Sequence, residues 1–226
     1  MCGTAHFQQD GPTPITSSAY VEDFRETRDY GRSNSTVRNP EQTDIAYFWQ
    51  AVDPHKGHID LAVSRALNVL DTARYMAMVY TAGADGNIVG FEAKYSYRHW
   101  RPRTAIPRAD TDGNPDTDAD PTWTPLISVN HPEYPSAHSY NTTAQTDVIA
   151  RFFGTTKVTW TLTASRNAIP QLVRTERTYH DMNALMREIY DARVWAGLHW
   201  RHSMLQGAQI GRKIAKHVCD NFFRPI

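Results

Sequence analysis

The sequence predicts an all-α fold, a helical bundle, on three observations. Apolar residues recur at spacings of three and four, strand-like alternation is nearly absent, and capping signals bracket the periodic stretches. In chain order, residues 1–18 are rich in Gly, Pro, Ser and Thr and are expected to wrap over a neighbour or fray. Tyr20 to Tyr30 reads as a short helix. Asn39-Pro40-Glu41-Gln42 opens the next helix with a cap and a proline in the first turn, and Ile45, Phe48 and Trp49 form its apolar side. Leu61, Ala62, Ala66, Leu67, Leu70, Ala73 and Met76 predict a long helix over His58–Tyr80. Gly83-Ala84-Asp85-Gly86 is expected to break it, and a further helix carries Phe91-Glu92-Ala93-Lys94 toward Arg101-Pro102. After a long connection over 103–130, a helix runs from His138 to Phe153, with Gly154 fitting its C-terminal stop. Val158 to Leu162 is too short to found a sheet, and helix resumes over Glu176–Trp200 and Ser203–Asn221.

With 226 residues and 40% hydrophobic content, the chain can bury one core, expected over residues 19–226, with 1–18 as a flexible extension. Its 24 basic and 24 acidic residues balance, which argues against nucleic acid or an anionic membrane as partner. No apolar run approaches the roughly 18 residues of a membrane helix, so a soluble protein is expected. The start Met1-Cys2-Gly3-Thr4-Ala5-His6 lacks a signal-peptide pattern, and the compartment stays open. Cys2 and Cys219 give no disulfide framework. The run of Asp110, Asp112, Asp116, Asp118 and Asp120 lacks the bidentate glutamate of a calcium loop, and reads as a solvated loop.

The candidate chemistry centres on His131-Pro132-Glu133-Tyr134-Pro135-Ser136-Ala137-His138-Ser139, an extended turn entering a helix. A helix N-terminus attracts an anion; Ser136 can cap it and donate to that anion, and His138 can move a proton beside it. Lys94 and Arg101 lie seven apart, about 10 Å along a helix and on nearly the same face, although Pro102 disfavours helix at Arg101. Such a pair alone reads as a solvated basic face; the flanking Tyr95, Tyr97, His99 and Trp100 point to a partly buried segment. Arg193 and His199 project about 120° apart on a regular helix, but Gly197 permits a bend. Arginine matches a tetrahedral oxyanion, and a neutral imidazole can be nucleophile or metal ligand. Alone, His199 reads first as a satisfied structural histidine, and the His199/His202 pair is compatible with zinc but lacks a third ligand at a diagnostic spacing.

Lys94 with Arg101-Pro102, Pro135-Ser136-Ala137-His138, and Arg193 with His199 occur in order. These three blocks resemble the signature of the vanadium-dependent haloperoxidases and the related type 2 phosphatidic-acid-phosphatase-like acid phosphatases, over residues 40–215. The resemblance implies a helical bundle whose pocket binds vanadate, with phosphate or sulfate able to occupy the same place. It implies that Lys94, Arg101 and Arg193 hold the equatorial oxygens, that Ser136 and the backbone N–H of Ala137 add hydrogen bonds, and that Lys94 also polarises bound peroxide. It makes His199 the axial vanadate ligand or the phosphorylated nucleophile, and His138 the acid–base group. The expected activity is oxidation of halide by hydrogen peroxide; the alternatives are hydrolysis of a phosphomonoester, or a non-catalytic oxyanion-binding relative. His131 stands where similar bromoperoxidases carry histidine, which favours bromide and iodide, although it also reads as a residue that shapes the turn. Three positions depart from the pattern: Ala137 for glycine, Ala192 for serine, and Ser203 for an aspartate that can orient a neighbouring group. Many soluble members carry a further N-terminal helical region, so a compact form or a fragment is expected here, with a homodimer to cover apolar surface.

Overall fold

The computed structural model describes Phe7 and residues 10–223; the remaining terminal positions, Cys2 among them, lie outside the described residues. Helices α1 (Ser18–Gly31), α2 (Pro40–Ala51) and α3 (Pro54–Ser64) lead into the long α4 (Val69–Tyr97). A short α5 (Pro102–Ala105) runs into a 3-10 turn, and α6 (Ala137–Phe153), α7 (Met182–Trp195) and α8 (Arg201–Asn221) complete the bundle. The α2 start is a full capping box between Asn39 and Gln42, and α6 stops at Gly154 in the left-handed conformation.

Helix α6 lies between α4 and α8, and its burial follows from its sequence. Tyr140, Ala144, Val148 and Ile149 share one face at helical spacing and are fully buried. Each large apolar side chain withdrawn from water in this way stabilises the fold by about 2 kcal/mol. They pack with Tyr75, Val79, Ile210 and Ile214 in one continuous core. On α8, Gly211 allows the closest approach: a Cβ there would sit 2.5 Å from the Tyr140 carbonyl oxygen.

Four expectations are corrected. The helix expected over His58–Tyr80 is two helices, because Ala66 turns left-handed at φ 49° and Asn68 caps a new helix at the Asp71 N–H. Gly83 and Gly86 do not break α4, which spans 29 residues. These glycines face α6, where a Cβ on Gly86 would lie 3.0 Å from Asn141 Oδ1, so tertiary packing outweighs their low helix propensity. A small antiparallel sheet exists where none was expected: β1 (Val52–Asp53), β2 (Trp160–Ala164) and β3 (Glu176–Tyr179), in that order. Trp160, Leu162 and Ala164 alternate inward, and β3 takes the first residues of the segment expected to begin a helix. Finally, α4 ends at Tyr97 with Arg98 left-handed, so Arg101 is not on a helix face with Lys94; it enters from an extended loop.

Among the described residues no helix is long and apolar enough to cross a membrane. The acidic run serves its own loop: Asp112 accepts from the Asn114 N–H and the Thr117 hydroxyl, and Asp120 pairs with Arg32.

Candidate active site

The loop entering α6 is the centre of the site, and three elements bring cations to it. Lys94, in the last turn of α4, is fully buried and donates through Nζ to the carbonyls of Pro132 at 3.0 Å and Glu133 at 2.9 Å. Arg101 donates through Nε to the His131 carbonyl at 2.7 Å and through Nη1 to the Leu198 carbonyl at 2.7 Å. Its Nη1 also stands 3.3 Å from His199 Nε2. Arg193, in the last turn of α7, is buried and donates through Nη1 to Gln50 Oε1 at 3.1 Å. Burial lowers all three cations, Lys94 to about 7, Arg101 to about 10 and Arg193 to about 9, and in Lys94 and Arg193 repulsion from Arg101 adds to the effect.

The two histidines face this cluster as neutral imidazoles. His199 follows the bend at Gly197, where φ is +72° and a Cβ would sit 2.5 Å from the Gly31 carbonyl oxygen, so both conformation and space require glycine. Its Nδ1–H donates to Glu133 Oε1 at 2.8 Å, which leaves the Nε2 lone pair directed at Arg101. His138 donates from Nε2 to the Trp49 carbonyl at 3.0 Å, so its Nδ1 carries the lone pair. Both are held well below the usual imidazole range, first by burial and then by the neighbouring guanidinium groups. A bound anion would oppose the second cause directly.

Ser136 begins α6 at the N-cap position, but its hydroxyl makes no capping bond, contrary to the expectation that it caps. Among the described residues its Oγ is buried without a hydrogen-bond partner, as is Arg193 Nε. Such buried polar groups cost about 1–3 kcal/mol each when unpaired, and both are donors that could turn to an anion held by the three cations. Ala137 opens the first turn of α6, where backbone N–H groups lack intrahelical partners. Lys94, Arg101, Ser136, Ala137, His138, Arg193 and His199 thus converge at one place.

His131 lies at the edge of the same cluster. Its Nδ1 is 3.2 Å from Arg101 Nη2 and its ring is 5.8 Å from that of Phe91, and burial lowers it to about 4. It lines a second cavity of about 380 Å³ with Arg98, Arg101 and Arg103. His202 points away from His199: its Nε2 faces the Gly11 carbonyl oxygen and its ring stacks on Tyr134.

Sequence reasoning missed Glu133. This carboxylate is fully buried and accepts from His199 Nδ1, from the Trp200 N–H at 3.1 Å and, at Oε2, from the Ser203 hydroxyl at 2.7 Å. Burial pushes it up to about 7, against the Ser203 hydroxyl, the Arg101 and Lys94 charges and the Trp200 N–H, which pull it down. The signal available was a lone acid in the otherwise apolar and proline-rich stretch before Ser136. Gln50, which holds Arg193 from α2, left no signal of its own.

Residues 74–226 match the family model of the VCPO second helical-bundle domain. The vanadium chloroperoxidase of Curvularia inaequalis is 26% identical over a 230-residue alignment that covers 74% of this chain and 37% of that protein. The crystal structure of the first bacterial vanadium-dependent iodoperoxidase superposes with a TM-score of 0.77 at 22% identity, covering 96% of this chain and 54% of the other. A holo-type bacterial vanadium-dependent chloroperoxidase gives 0.70 at 18%, covering 94% and 50%. These structural likenesses show the fold. The chain spans little more than a third of the curated relative and about half of each solved one.

Proposed function

This chain belongs to the family of the VCPO second helical-bundle domain, and from that membership we propose that it is a vanadate-dependent haloperoxidase-like enzyme that oxidises halide with hydrogen peroxide. The observation that carries the reading is the convergence of three buried cations and the unpaired Ser136 and Arg193 donors beside two neutral histidines, with Arg101 against the His199 Nε2 lone pair. The residues fit the group. Among the described residues, three cations against the Glu133 carboxylate leave a net positive site, suited to a multiply charged oxyanion in a water-poor setting.

Lys94, Arg101 and Arg193 would hold the oxyanion, Ser136 Oγ and the Ala137 N–H would donate to it, and His199 Nε2 would be its ligand. Vanadate supplies Lewis-acid polarisation that makes peroxide open to attack by halide. Glu133 keeps His199 in the tautomer that presents Nε2 and stabilises positive charge developing on the ring. His138 Nδ1 is the free lone pair that takes the proton from incoming peroxide. His131, the position on which the resemblance bases a preference for bromide and iodide, stands beside Arg101 at the edge of the site.

The Glu133–His199 pair also favours a second reading. A carboxylate behind an imidazole activates Nε2 as a nucleophile, and the same cations suit phosphate, so phosphomonoester hydrolysis through a phosphohistidine would use this pocket unchanged. The deciding experiment titrates orthovanadate into vanadate-free protein with peroxide, bromide and a phenol dye, with phosphate as competitor. Saturable activation suppressed by phosphate is the expected result. Absence of activation, with turnover of p-nitrophenyl phosphate inhibited by vanadate, would establish the phosphatase reading instead; absence of both would leave an oxyanion-binding relative.

A further inference from the structure

A cavity of about 490 Å³ has His138 and Ala137 in its lining, and none of Lys94, Arg101 and Arg193 lines it. Its shape follows from three elements. Helix α4 presents Tyr80, Gly83, Ala84 and Asn87, and α6 presents His138, Asn141, Thr142 and Gln145, each a stripe at spacings of three and four. Strand β2 closes the third side with Trp160 and Leu162, so the unexpected sheet builds one wall of this space. Where the helical stripes meet, Gly83, Ala84 and Ala137 carry little or no side chain, which keeps the middle clear. The volume is that of a small-molecule site.

The lining is uncharged. Among the described residues no Asp, Glu, Lys or Arg lines it, and His138 is held neutral. The indole N–H of Trp49 is taken by Glu188 at 3.0 Å and that of Trp160 by the Gly57 carbonyl at 2.8 Å, so both rings offer only apolar surface. The polar side is an amide row. Asn141 donates to Asn87 at 2.9 Å, and Gln145 engages His58 through Oε1 while its Nε2 faces Gly83. A charged ligand would lose its hydration here without compensation. An aromatic ring suits the Trp49, Trp160 and Tyr80 walls, and a hydroxyl suits the amide row.

We propose that this cavity is a binding site for an uncharged hydroxyaromatic acceptor of the phenol class, seated against His138 and the start of α6. Its chemical consequence rests on the haloperoxidase reading; its occupancy does not. With bromide and hydrogen peroxide as co-reactants, a ring C–H bond breaks and a carbon–bromine bond forms. Bromide gives up two electrons to the O–O bond of peroxide, and both oxygens leave as water with the ring proton and one from solvent. A ring held beside the site of halide oxidation captures the oxidant before it diffuses away.

The test uses vanadate-free full chain without peroxide or halide, so that it stands apart from the activity. Titration with 4-propylphenol, followed by tryptophan fluorescence and calorimetry, is expected to saturate with a Kd of about 1 mM or tighter. The anionic isostere 4-propylbenzoate is expected not to saturate. Ala84→Phe and Asn87→Phe, both at exposed positions of α4, should each weaken binding by about tenfold or more, with far-UV circular dichroism confirming the fold. Absence of saturation with 4-propylphenol, equal binding of the benzoate, or unchanged affinity in the folded variants would overturn the proposal. Vanadate-activated turnover without phenol binding would remove the cavity assignment alone; binding without turnover would remove the haloperoxidase reading alone.

Discussion

Glu133 offers the sharpest test of how the site works, because substitution to glutamine and to alanine perturbs it in different ways. The carboxylate accepts three hydrogen bonds, at 2.8 Å from His199, 3.1 Å from Trp200 and 2.7 Å from Ser203. Alanine would orphan all three buried donors at about 1–3 kcal/mol each, so Glu133→Ala is expected to lose about 3–9 kcal/mol, a large part of a domain's stability. Glutamine keeps an acceptor oxygen for His199 and Trp200, and its amide can donate to a reversed Ser203 hydroxyl. The bonds persist but lose charge assistance, and one buried charge disappears, so the net change in stability should stay near 1 kcal/mol. The orientation of His199 would survive, whereas the electrostatic support of the ring would not. Loss of such a partner typically costs about 10–100-fold in ligand affinity. Calorimetric titration of orthovanadate into Glu133→Gln should therefore show that loss, with the midpoint of urea unfolding little changed. Nitrogen NMR of His199 should still report the proton on Nδ1. If the glutamine variant bound vanadate as tightly as the parent chain, Glu133 would be a packing residue and the argument from the carboxylate–imidazole pair would fail.

Three further outcomes follow from the structure. His138→Ala should cut turnover, halide-dependent or phosphatase, by about 10²–10⁴ while orthovanadate still binds; full turnover in that variant would remove His138 from the acid–base role. His58 is buried between Tyr75 and Gln145, and burial lowers it from 6.5 to about 4. Because its folded value lies below its unfolded one, its contribution is fully present above pH 6.5 and is lost as pH falls toward 4, a change of about 3 kcal/mol. His58→Gln should therefore flatten the decline in urea midpoint between pH 7 and about 4.5, and an unchanged slope would contradict the assignment. Gly211→Ala places a Cβ 2.5 Å from the Tyr140 carbonyl oxygen and 2.8 Å from the Ala144 nitrogen, both backbone atoms of α6. It should cost about 1–3 kcal/mol in chemical denaturation, and a neutral result would mean that α6 and α8 can separate freely.

The bundle and most of its parts are legible in the sequence because their causes are local. The Asn39 capping box, the Gly154 stop and the apolar stripe of α6 each depend on residues within a few turns, and the structure contains all three. The blocks around Lys94, Ser136 and Arg193 are likewise short, and each sits where a helix ends or begins, so their chemistry shows before their meeting place does. Local signals also mislead where packing decides. Gly83 and Gly86 read as a break, yet α4 continues through them because they let α6 approach. Residues 176–179 read as helix, yet they pair with β2.

Sequence alone determined the helical class, the family signature and the identity of the cations and histidines. Tertiary structure alone decided that Arg101 reaches the site from a loop, that Ser136 leaves its hydroxyl unpaired, and that β2 walls a cavity beside His138. It alone assigned Glu133 to His199 and Ser203, partners that lie 66 and 70 residues away. The physical reason is the range of the forces. Helix propensity and capping act over one or two turns, whereas the partner of a buried charge is whichever donor the folded core brings within 3 Å, and no pattern along the chain records that choice.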